Sequence, residues 1–374
     1  MIKVNKFNES MIRKMTVLAD KYNAINLAQG FPEHTKKEII DFALEAIHAD
    51  NNQYTVTYGL KELREKLAAK IRKEKGIDIN YNDVIITCGA SEGIMDAILG
   101  NLPPQGKVII FEPVYENYIP AVEIAGGEIV TVPIENGKFD MEYFSKIPGK
   151  GDFIIINTPH NPTGKVFTEE ELKFIAKSAR ERDCMVIADE TYEYLTYEKK
   201  HISIASMDRM LEKTITVGSF SKTYSITGWR LGYAYGKGLL MQNIKSIHDY
   251  MTICAPTPFQ YAALKLLDLP ESYYQEFIDS YRERRNFMIS KLEECGFTFV
   301  IPDGAYYIFA RLPNRVEEDD VKFCFDLVEN GGVALVPGSS FFYKKEKSRY
   351  VRFSFSKDMK SIIEAMRRLK EYLG

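Results

Sequence analysis

The chain has 374 residues, of which 45% are hydrophobic, and its 49 basic and 52 acidic residues leave a formal charge of −3. This length suffices for one large domain with a smaller domain beside it, each with a buried core. No long block of one charge sign occurs, so the composition argues against nucleic acid as a partner. It also argues against a membrane protein, because no apolar run approaches the roughly 18 residues that span a bilayer.

Cysteine and histidine usage narrows the class further. The five cysteines are scattered, with no C-x-x-C pair, which is typical of a reducing compartment. The N-terminal sequence MIKVNKFNESMIRKM lacks the apolar core of a signal peptide, so we expect a cytoplasmic protein. The five histidines form no H-E-x-x-H or similar ligand pattern, and we therefore expect no metal site.

Helix and strand patterns alternate after the first forty residues, which carry too little apolar content to fold alone. Thr35 to Glu38 form a capping-box pattern that predicts a helix to about Asp50, and Thr168 to Glu171 repeat this pattern before a second helix. Short apolar runs flanked by turn residues are the predicted strands: DVIITCGA, KVIIFEP, EIVTVPI, DFIIINTP, CMVIADE, KTITVGSF and WRLGYAYG.

This alternation predicts an α/β fold, a large domain with a mostly parallel sheet flanked by helices. From about residue 276 the pattern changes to a long charged helix, the strands TFVIPDGAYYIFARLP, VALVPGSSF and SRYVRFSFS, and a closing helix. We expect residues 40–275 to form the large domain. Residues 1–39 and 276–374 are expected to form a smaller α+β domain.

In a parallel sheet, ligands bind beyond the carboxyl ends of the strands, so the residues that follow each apolar run are the candidates for a site. Asn161 follows DFIIIN in a TPHNPTG turn, and Asp189 and Tyr192 follow CMVIA. Ser219 and Lys222 follow TITVG. Residues 88–93, CGASEG, open a helix whose first amides suit a phosphate.

Each of these motifs alone is most often an ordinary turn, cap or surface lysine. Their order and spacing are more specific: 28 residues separate Asn161 from Asp189, 33 separate Asp189 from Lys222, and eight more lead to Arg230. The ordered set resembles the class I/II aminotransferases, pyridoxal-phosphate (PLP) enzymes of fold type I, over nearly the whole chain. QGFP at 29–32, NQYT at 52–55 and VRFSFS at 351–356 are most similar to the kynurenine/glutamine/methionine transaminase branch.

The resemblance implies a role for each residue around the cofactor ring. Lys222 would bind PLP as a Schiff base and then carry the proton between Cα and C4′. Asp189 would face the pyridine nitrogen and keep it protonated. Tyr192 and Asn161 would contact the O3′ oxygen, and Tyr115 would stack on the ring.

The phosphate site is implied in the same way, and with it a homodimer. Arg230 and the Ser219 hydroxyl would bind the phosphate together with the backbone amides of Ala90 and Ser91. Tyr54 would reach the same phosphate from a second subunit, so the resemblance implies a homodimer with Tyr54 shared across the interface.

Substrate binding is implied at Arg352, which would bind the α-carboxylate in a bidentate contact, with Gly30 and Asn161 beside it. Four aromatic residues are candidates for an apolar pocket wall: Phe31, Tyr115, Tyr306 and Phe355. Core packing explains Phe355 equally well, and it also explains Tyr306. Because no arginine is identified that would bind a second carboxylate, strict aspartate specificity is disfavoured.

The sequence thus predicts an aminotransferase that moves the amino group of an L-amino acid to a 2-oxo acid by a ping-pong mechanism. The expected donors are aromatic, methionine-like or glutamine-like. The alternative is another PLP reaction on the same fold, such as a C–S β-lyase, because the cofactor residues do not separate the two. A non-enzymatic PLP-binding effector module is disfavoured because no DNA-binding segment is evident.

Overall fold

The computed structural model describes residues 9–344 and 348–374. Within them no helix is both long enough and apolar enough to cross a membrane. The helices are α1 (Met11–Lys21), α2 (Lys37–His48), α3 (Lys61–Lys75), α4 (Ala90–Asn101), α5 (Tyr118–Ile124), α6 (Met141–Ser145), α7 (Glu169–Glu181), α8 (Phe220–Thr223), α9 (Gly238–Met251), α10 (Thr257–Leu266), α11 (Glu271–Glu294), α12 (Asp320–Asp326) and α13 (Met359–Leu373).

The strands are β1 (Ile25–Asn26), β2 (Val84–Thr87), β3 (Lys107–Glu112), β4 (Glu128–Glu135), β5 (Lys138–Phe139), β6 (Phe153–Asn157), β7 (Met185–Asp189), β8 (Thr214–Ser219), β9 (Gly232–Tyr235), β10 (Thr298–Phe299), β11 (Tyr307–Arg311), β12 (Val333–Ala334), β13 (Val336–Pro337) and β14 (Tyr350–Ser354).

The largest sheet has eight strands in the order β2-β9-β8-β7-β6-β3-β4-β5. Its central pairs are parallel, whereas β9 runs antiparallel to both of its neighbours and β5 runs antiparallel to β4. The predicted α/β fold with a mostly parallel sheet is therefore confirmed.

Helices cover both faces of this sheet, which explains why its strands are continuous apolar runs rather than alternating ones. Phe153 and Ile155 of β6 pack in one core with residues of α4 and α9. Ile154 and Ile156 of the same strand pack in a second core with residues of α7.

A smaller antiparallel sheet has the order β10-β11-β14-β13, and β1 pairs in parallel with β12 in a separate two-stranded sheet. The N-terminal segment shares a core with the C-terminal part of the chain, because Met15 and Leu27 pack in the same cluster as Phe353 and Leu369. The division into domains at residues 40 and 276 stays a prediction.

Of the two predicted capping boxes, the one at Thr168 is confirmed and the one at Thr35 is wrong. Thr168 caps α7 and exchanges hydrogen bonds with Glu171. Thr35 instead donates its hydroxyl to the carbonyl of Ser225 at 2.6 Å, and α2 begins one residue later, after Lys36, without a side-chain cap. A long-range hydrogen bond has replaced the local one.

Several predicted strands are shorter than the runs that predicted them, and two of these show the physical reason. WRLGYAYG forms a strand only from Gly232, because Trp229 lies in a 3-10 turn and Arg230 adopts a left-handed conformation with φ 52°. VALVPGSSF forms β12 and β13, after which Gly338–Phe341 turn into a 3-10 helix. A Cβ on Gly338 would lie 2.5 Å from the Tyr350 carbonyl oxygen, so the glycine permits this close approach.

Candidate active site

Asp189 is the last residue of β7 and is buried. Its carboxylate accepts hydrogen bonds from the Tyr118 hydroxyl at 2.5 Å and from the Thr191 amide at 3.1 Å. Burial raises the pKa of Asp189, although these two donors act in the opposite direction. A desolvated carboxylate held by neutral donors is a suitable partner for a cationic nitrogen such as a protonated pyridine, so Asp189 fits the cofactor expected here.

Asn157, the last residue of β6, lies next to Asp189 in the parallel register of β6 and β7. Its side chain donates to the Asp189 carbonyl at 3.1 Å and accepts from the Asn161 amide at 2.7 Å. Asn161 is thereby held at the carboxyl edge of the sheet. Its own side-chain oxygen accepts from Arg352 Nη1 at 2.9 Å, which joins the large sheet to the smaller one.

Lys222 lies in the single turn α8 directly after β8, and Ser219 caps this turn by accepting from the Ser221 amide at 3.1 Å. Lys222 Nζ donates to the Gly30 carbonyl at 3.0 Å and lies 5.9 Å from the centre of the Tyr192 ring. Burial, then the charges of Arg230 and Arg352, lower the pKa of Lys222 to about 8, against the opposing effect of Asp189. A lysine with this pKa offers a nucleophilic amine near neutral pH.

The turn before α4 and the start of β9 form a cradle for an anion. Gly89 has φ 79° and precedes Ala90, the first residue of α4, so the first amides of the helix have no acceptor one turn earlier. The Arg230 guanidinium lies against this turn, since a Cβ on Gly89 would come within 2.4 Å of its Nη2. A Cβ on Gly232 would lie 2.7 Å from the Ala90 nitrogen. The glycines at 89 and 232 therefore let a cation and the first amide of α4 converge, as phosphate binding requires.

The two phenols expected at the cofactor ring, those of Tyr115 and Tyr192, lie near Asp189 and Lys222. The Tyr192 hydroxyl is 2.9 Å from the Tyr307 hydroxyl, and the Tyr115 hydroxyl accepts from Asn117 at 2.9 Å. The Tyr115 ring contacts Tyr118 edge to face, with 5.5 Å between the ring centres. Burial raises the pKa of both Tyr115 and Tyr192. Both therefore stay neutral and can donate hydrogen bonds.

Arg352 lies on β14 of the smaller sheet and is 1% exposed. It donates to Asn161 and to the Ala28 carbonyl, and its guanidinium carbon stacks 4.3 Å from the centre of the Tyr307 ring. Among the described residues its Nε has no hydrogen-bond partner. A buried guanidinium with a free donor is suited to a carboxylate ligand.

Gly30 lies between the two sides of the site. Its carbonyl accepts from Lys222 and also from the Tyr306 hydroxyl at 2.8 Å. A Cβ at this position would lie 1.9 Å from the Tyr307 hydroxyl. Glycine therefore allows the chain to pass this close to the Tyr307 side chain.

Of the remaining candidates, Tyr306 lies in this group, whereas no contact places Tyr54, Phe31 or Phe355 in it among the described residues. Tyr54 is 77% exposed. Phe355 is fully buried in the core that contains Tyr197, a position that favours the core-packing alternative. Phe31 lies under Lys357, with 3.7 Å between Nζ and the ring centre. Tyr306 is fully buried, and its hydroxyl contacts the Gly30 carbonyl.

Three residues at the site were missed from the sequence: Tyr118, Asn157 and Tyr307. Asn157 could have been found, because it ends a predicted strand just as Asp189 does. Tyr118 lies in a helix after β3, and Tyr307 lies in the smaller sheet. Their contacts are formed only in the folded chain.

Comparisons with known proteins agree with this geometry. The family model for aminotransferase class I and II matches residues 22–369. An aspartate aminotransferase of Thermotoga maritima is 33% identical over 100% of this chain and 97% of its own length. The aromatic-amino-acid aminotransferase 2 of Thermococcus litoralis is 37% identical over 98% and 96%. The relatives also include kynurenine and methionine aminotransferases.

The solved structure of N-succinyldiaminopimelate aminotransferase from Mycobacterium tuberculosis superposes with a TM-score of 0.94 at 34% identity, covering 99% of each chain.

Proposed function

The chain belongs to the class I and II aminotransferases, which use pyridoxal phosphate, and on that premise we propose that it has a broad preference for aromatic, methionine-like or glutamine-like L-amino acids. The acceptor is a 2-oxo acid, and the mechanism is ping-pong. The observation that carries the proposal is the buried Arg352, bonded to Asn161 and retaining a free Nε beside the Tyr307 ring. Both substrates present an α-carboxylate, so one arginine serves both half-reactions in turn.

When bound, PLP supplies an electron sink for the charge that develops at Cα. Lys222 binds the cofactor and carries the Cα proton, for which its lowered pKa of about 8 is suited. Asp189 would hold the proton on the pyridine nitrogen. Tyr192 and Asn161 would donate to O3′, and Tyr115 would lie against the ring.

The phosphate would be bound by Arg230, the Ser219 hydroxyl and the amides of Ala90 and Ser91. The support for this assignment is the cradle at Gly89 and Gly232, in which a side chain would clash with Arg230 or with the Ala90 amide. The backbone of Gly30 would contact the substrate carboxylate beside Arg352.

Support for the donor class comes from the aromatic side chains around Lys222. Tyr306 and Tyr307 pack against Tyr192, with 5.2 and 5.8 Å between ring centres. Such a wall favours apolar and aromatic donor side chains over short charged ones.

We include a homodimer in the proposal. Tyr54 and Val56 are 77% and 63% exposed, and Tyr250 and Met251 are 91% and 59% exposed. The two segments are joined by a 2.9 Å hydrogen bond from Thr57 to Asp249. Exposed apolar surface of this kind is typical of an interface, and Tyr54 would reach the partner's phosphate from it.

The test is a spectral screen of the purified holoenzyme with each L-amino acid. We expect aromatic amino acids, methionine and glutamine to convert the lysine-bound cofactor to its pyridoxamine form, and a 2-oxo acid to restore it. Conversion by aspartate alone would contradict the donor class. Release of pyruvate and ammonia from a cysteine S-conjugate without any 2-oxo acid would instead support the lyase alternative, which the relatives do not favour.

A further inference from the structure

Three buried ionisable side chains lie between α4 and α9, directly behind the phosphate cradle. Glu92 and Asp96 belong to α4, and His248 belongs to α9. The side chains of Asp96 and His248 have no solvent exposure, and that of Glu92 is 10% exposed. Glu92 is the third residue of α4 and comes directly after Ala90 and Ser91, whose amides belong to the phosphate cradle.

The backbone amide and the hydroxyl that contact Glu92 favour an ionised carboxylate. The Cys88 amide and the Thr252 hydroxyl both donate to it. His248 Nδ1 lies 2.8 Å from its Oε1. Such a set of donors favours the charged form, and the pKa of Glu92 is lowered although burial opposes this.

The other ring nitrogen of His248 faces a backbone carbonyl. Nε2 lies 2.9 Å from the Thr57 oxygen, which can only accept. With an ionised carboxylate at Nδ1 and a carbonyl at Nε2, both ring nitrogens must carry hydrogen. The geometry therefore favours a buried imidazolium.

This imidazolium joins two segments that the proposed function uses. On one side, Glu92 holds the Cys88 amide, and Arg230 Nη2 contacts the Cys88 carbonyl at 3.4 Å. On the other side, Thr57 is three residues from Tyr54. The phosphate turn of one site and the tyrosine offered to the other site are thus connected through one protonated ring.

We propose that His248 and Glu92 are positioning residues that lock the phosphate turn at 88–91 to the Tyr54 segment, so that cofactor affinity depends on the proton of His248. The proposal rests on the proposed function, because it takes the turn as the cofactor phosphate site. Neither residue touches the reacting atoms.

The groups that face His248 give the direction of the pH dependence. Burial opposes its charge, but the hydrogen bond and charge of Glu92 and the charge of Asp96 outweigh burial and raise the pKa of His248. Thr57 contributes only its carbonyl. Cys88, beside Glu92, stays a neutral thiol because burial raises its pKa to about 12. The His248–Glu92 link between the phosphate turn and the Tyr54 segment is therefore complete below the ordinary histidine pKa. It is lost as pH rises through the raised pKa of His248.

Asp96 affects the pH range over which His248 loses its proton. Its carboxylate lies 3.8 Å from His248 Nδ1, and among the described residues neither of its oxygens has a hydrogen-bond partner. Burial and the charge of Glu92 raise the pKa of Asp96 to about 7. The same three residues could be taken for metal ligands, but a ring that donates from both nitrogens has no lone pair for a cation.

The experiment is a titration of the apo-enzyme with PLP from pH 6 to pH 10, read by absorbance. For wild type we expect weaker binding as pH rises. His248→Gln and Glu92→Gln should raise Kd at low pH by about tenfold or more, as expected for the loss of a charged hydrogen bond, and should flatten the pH profile. Full-strength, pH-dependent binding by either variant would overturn the proposal.

Glu171→Gln is the matched control. Glu171 is also the third residue of its helix, accepts the amide of its N-cap residue and is paired with a buried cation, Lys165. The Glu171→Gln substitution should lower the free energy of unfolding while leaving the PLP titration unchanged. A comparable rise in Kd here would show that any buried helix-start glutamate has the same effect, and would overturn the assignment.

Asp96→Asn separates positioning from mere structural support. The substitution keeps the shape but removes a negative charge beside His248, so the midpoint of the pH profile should move to lower pH while Kd at low pH is retained. An unmoved midpoint would contradict the role of His248. If wild type failed to bind PLP at all, the proposed function itself would fail, which is a distinct result.

Discussion

Asp189 and Lys222 reach the candidate site from neighbouring strands of one sheet, whereas Gly30 and Arg352 reach it from opposite ends of the chain. The first two residues follow β7 and β8, which are paired in parallel register. The other two are brought together because the N-terminal segment packs against β14, whose Ser354 amide donates to the Leu27 carbonyl at 3.0 Å. One side of the site is thus built by sheet topology and the other by tertiary packing.

The difference between the two sides also shows in their electrostatics. On the sheet side, Asp189 is held by the neutral donors Tyr118 and Thr191. On the other side, Arg352 contributes a positive charge that lowers the pKa of Lys222. Asp189 and Arg352 therefore act on the same lysine in opposite directions, and substitutions can separate the two effects.

The largest effect is expected on the sheet side, at Lys222. Lys222→Ala should lower kcat/KM by about 10⁴-fold or more, because a positioned proton-transfer group alone contributes about 10²–10⁴. Borohydride reduction and peptide mapping should place the pyridoxyl group on Lys222 in wild type. Lys357→Ala, which changes another buried lysine, should leave that adduct in place. An adduct on a different lysine in wild type would refute the assignment.

On the opposite side, Arg352→Ala should lower kcat/KM for amino acids by about a hundredfold, from the loss of two charged hydrogen bonds and of orientation. The decarboxylated amine should lose much less, because it lacks the carboxylate that Arg352 is proposed to bind. Stopped-flow rates for both compounds make the comparison. Equal losses would show that Arg352 is structural and that the carboxylate binds elsewhere.

Tyr54 tests whether a third contribution comes from a second subunit. Tyr54→Phe should weaken PLP binding by about three- to tenfold, the value of one ordinary hydrogen bond. Its midpoint of thermal unfolding should stay unchanged without cofactor, because the side chain is 77% exposed. Retention of full PLP affinity by a diluted monomer would exclude a shared site.

The smallest expected effect is a shift in the pKa of Lys222, on which Asp189 and Arg352 act from the two sides of the site. The rate at which pyridoxal adds to the apo-enzyme should rise with pH through about 8, as Lys222 loses its proton. Pyridoxal lacks the phosphate, so the phosphate cradle does not contribute. In Arg352→Ala the midpoint should move upward, because a nearby positive charge is removed. An unchanged midpoint would mean that burial and the charge of Arg230 lower this pKa without a contribution from Arg352.

The sequence determined the sheet side of the site almost completely. Asn161, Asp189 and Lys222 follow apolar runs long enough to be recognised as strands, and parallel strands bring their carboxyl ends to one edge. Asn157 follows the same rule, although it was overlooked. The order of the motifs therefore predicted which residues lie close together, because residues that directly follow neighbouring parallel strands meet at the same edge of the sheet.

Only the tertiary structure decided the rest. The capping box at Thr35 was wrong because a distant carbonyl, that of Ser225, offered a better partner than the local amide. Tyr118 and Tyr307 became site residues through contacts with Asp189 and Tyr192 that no periodicity encodes. Likewise, the charge of His248 follows from one acceptor on α4 and another near residue 57. Local pattern specifies elements and their ends, whereas the partners of buried polar groups are fixed only when distant segments pack together.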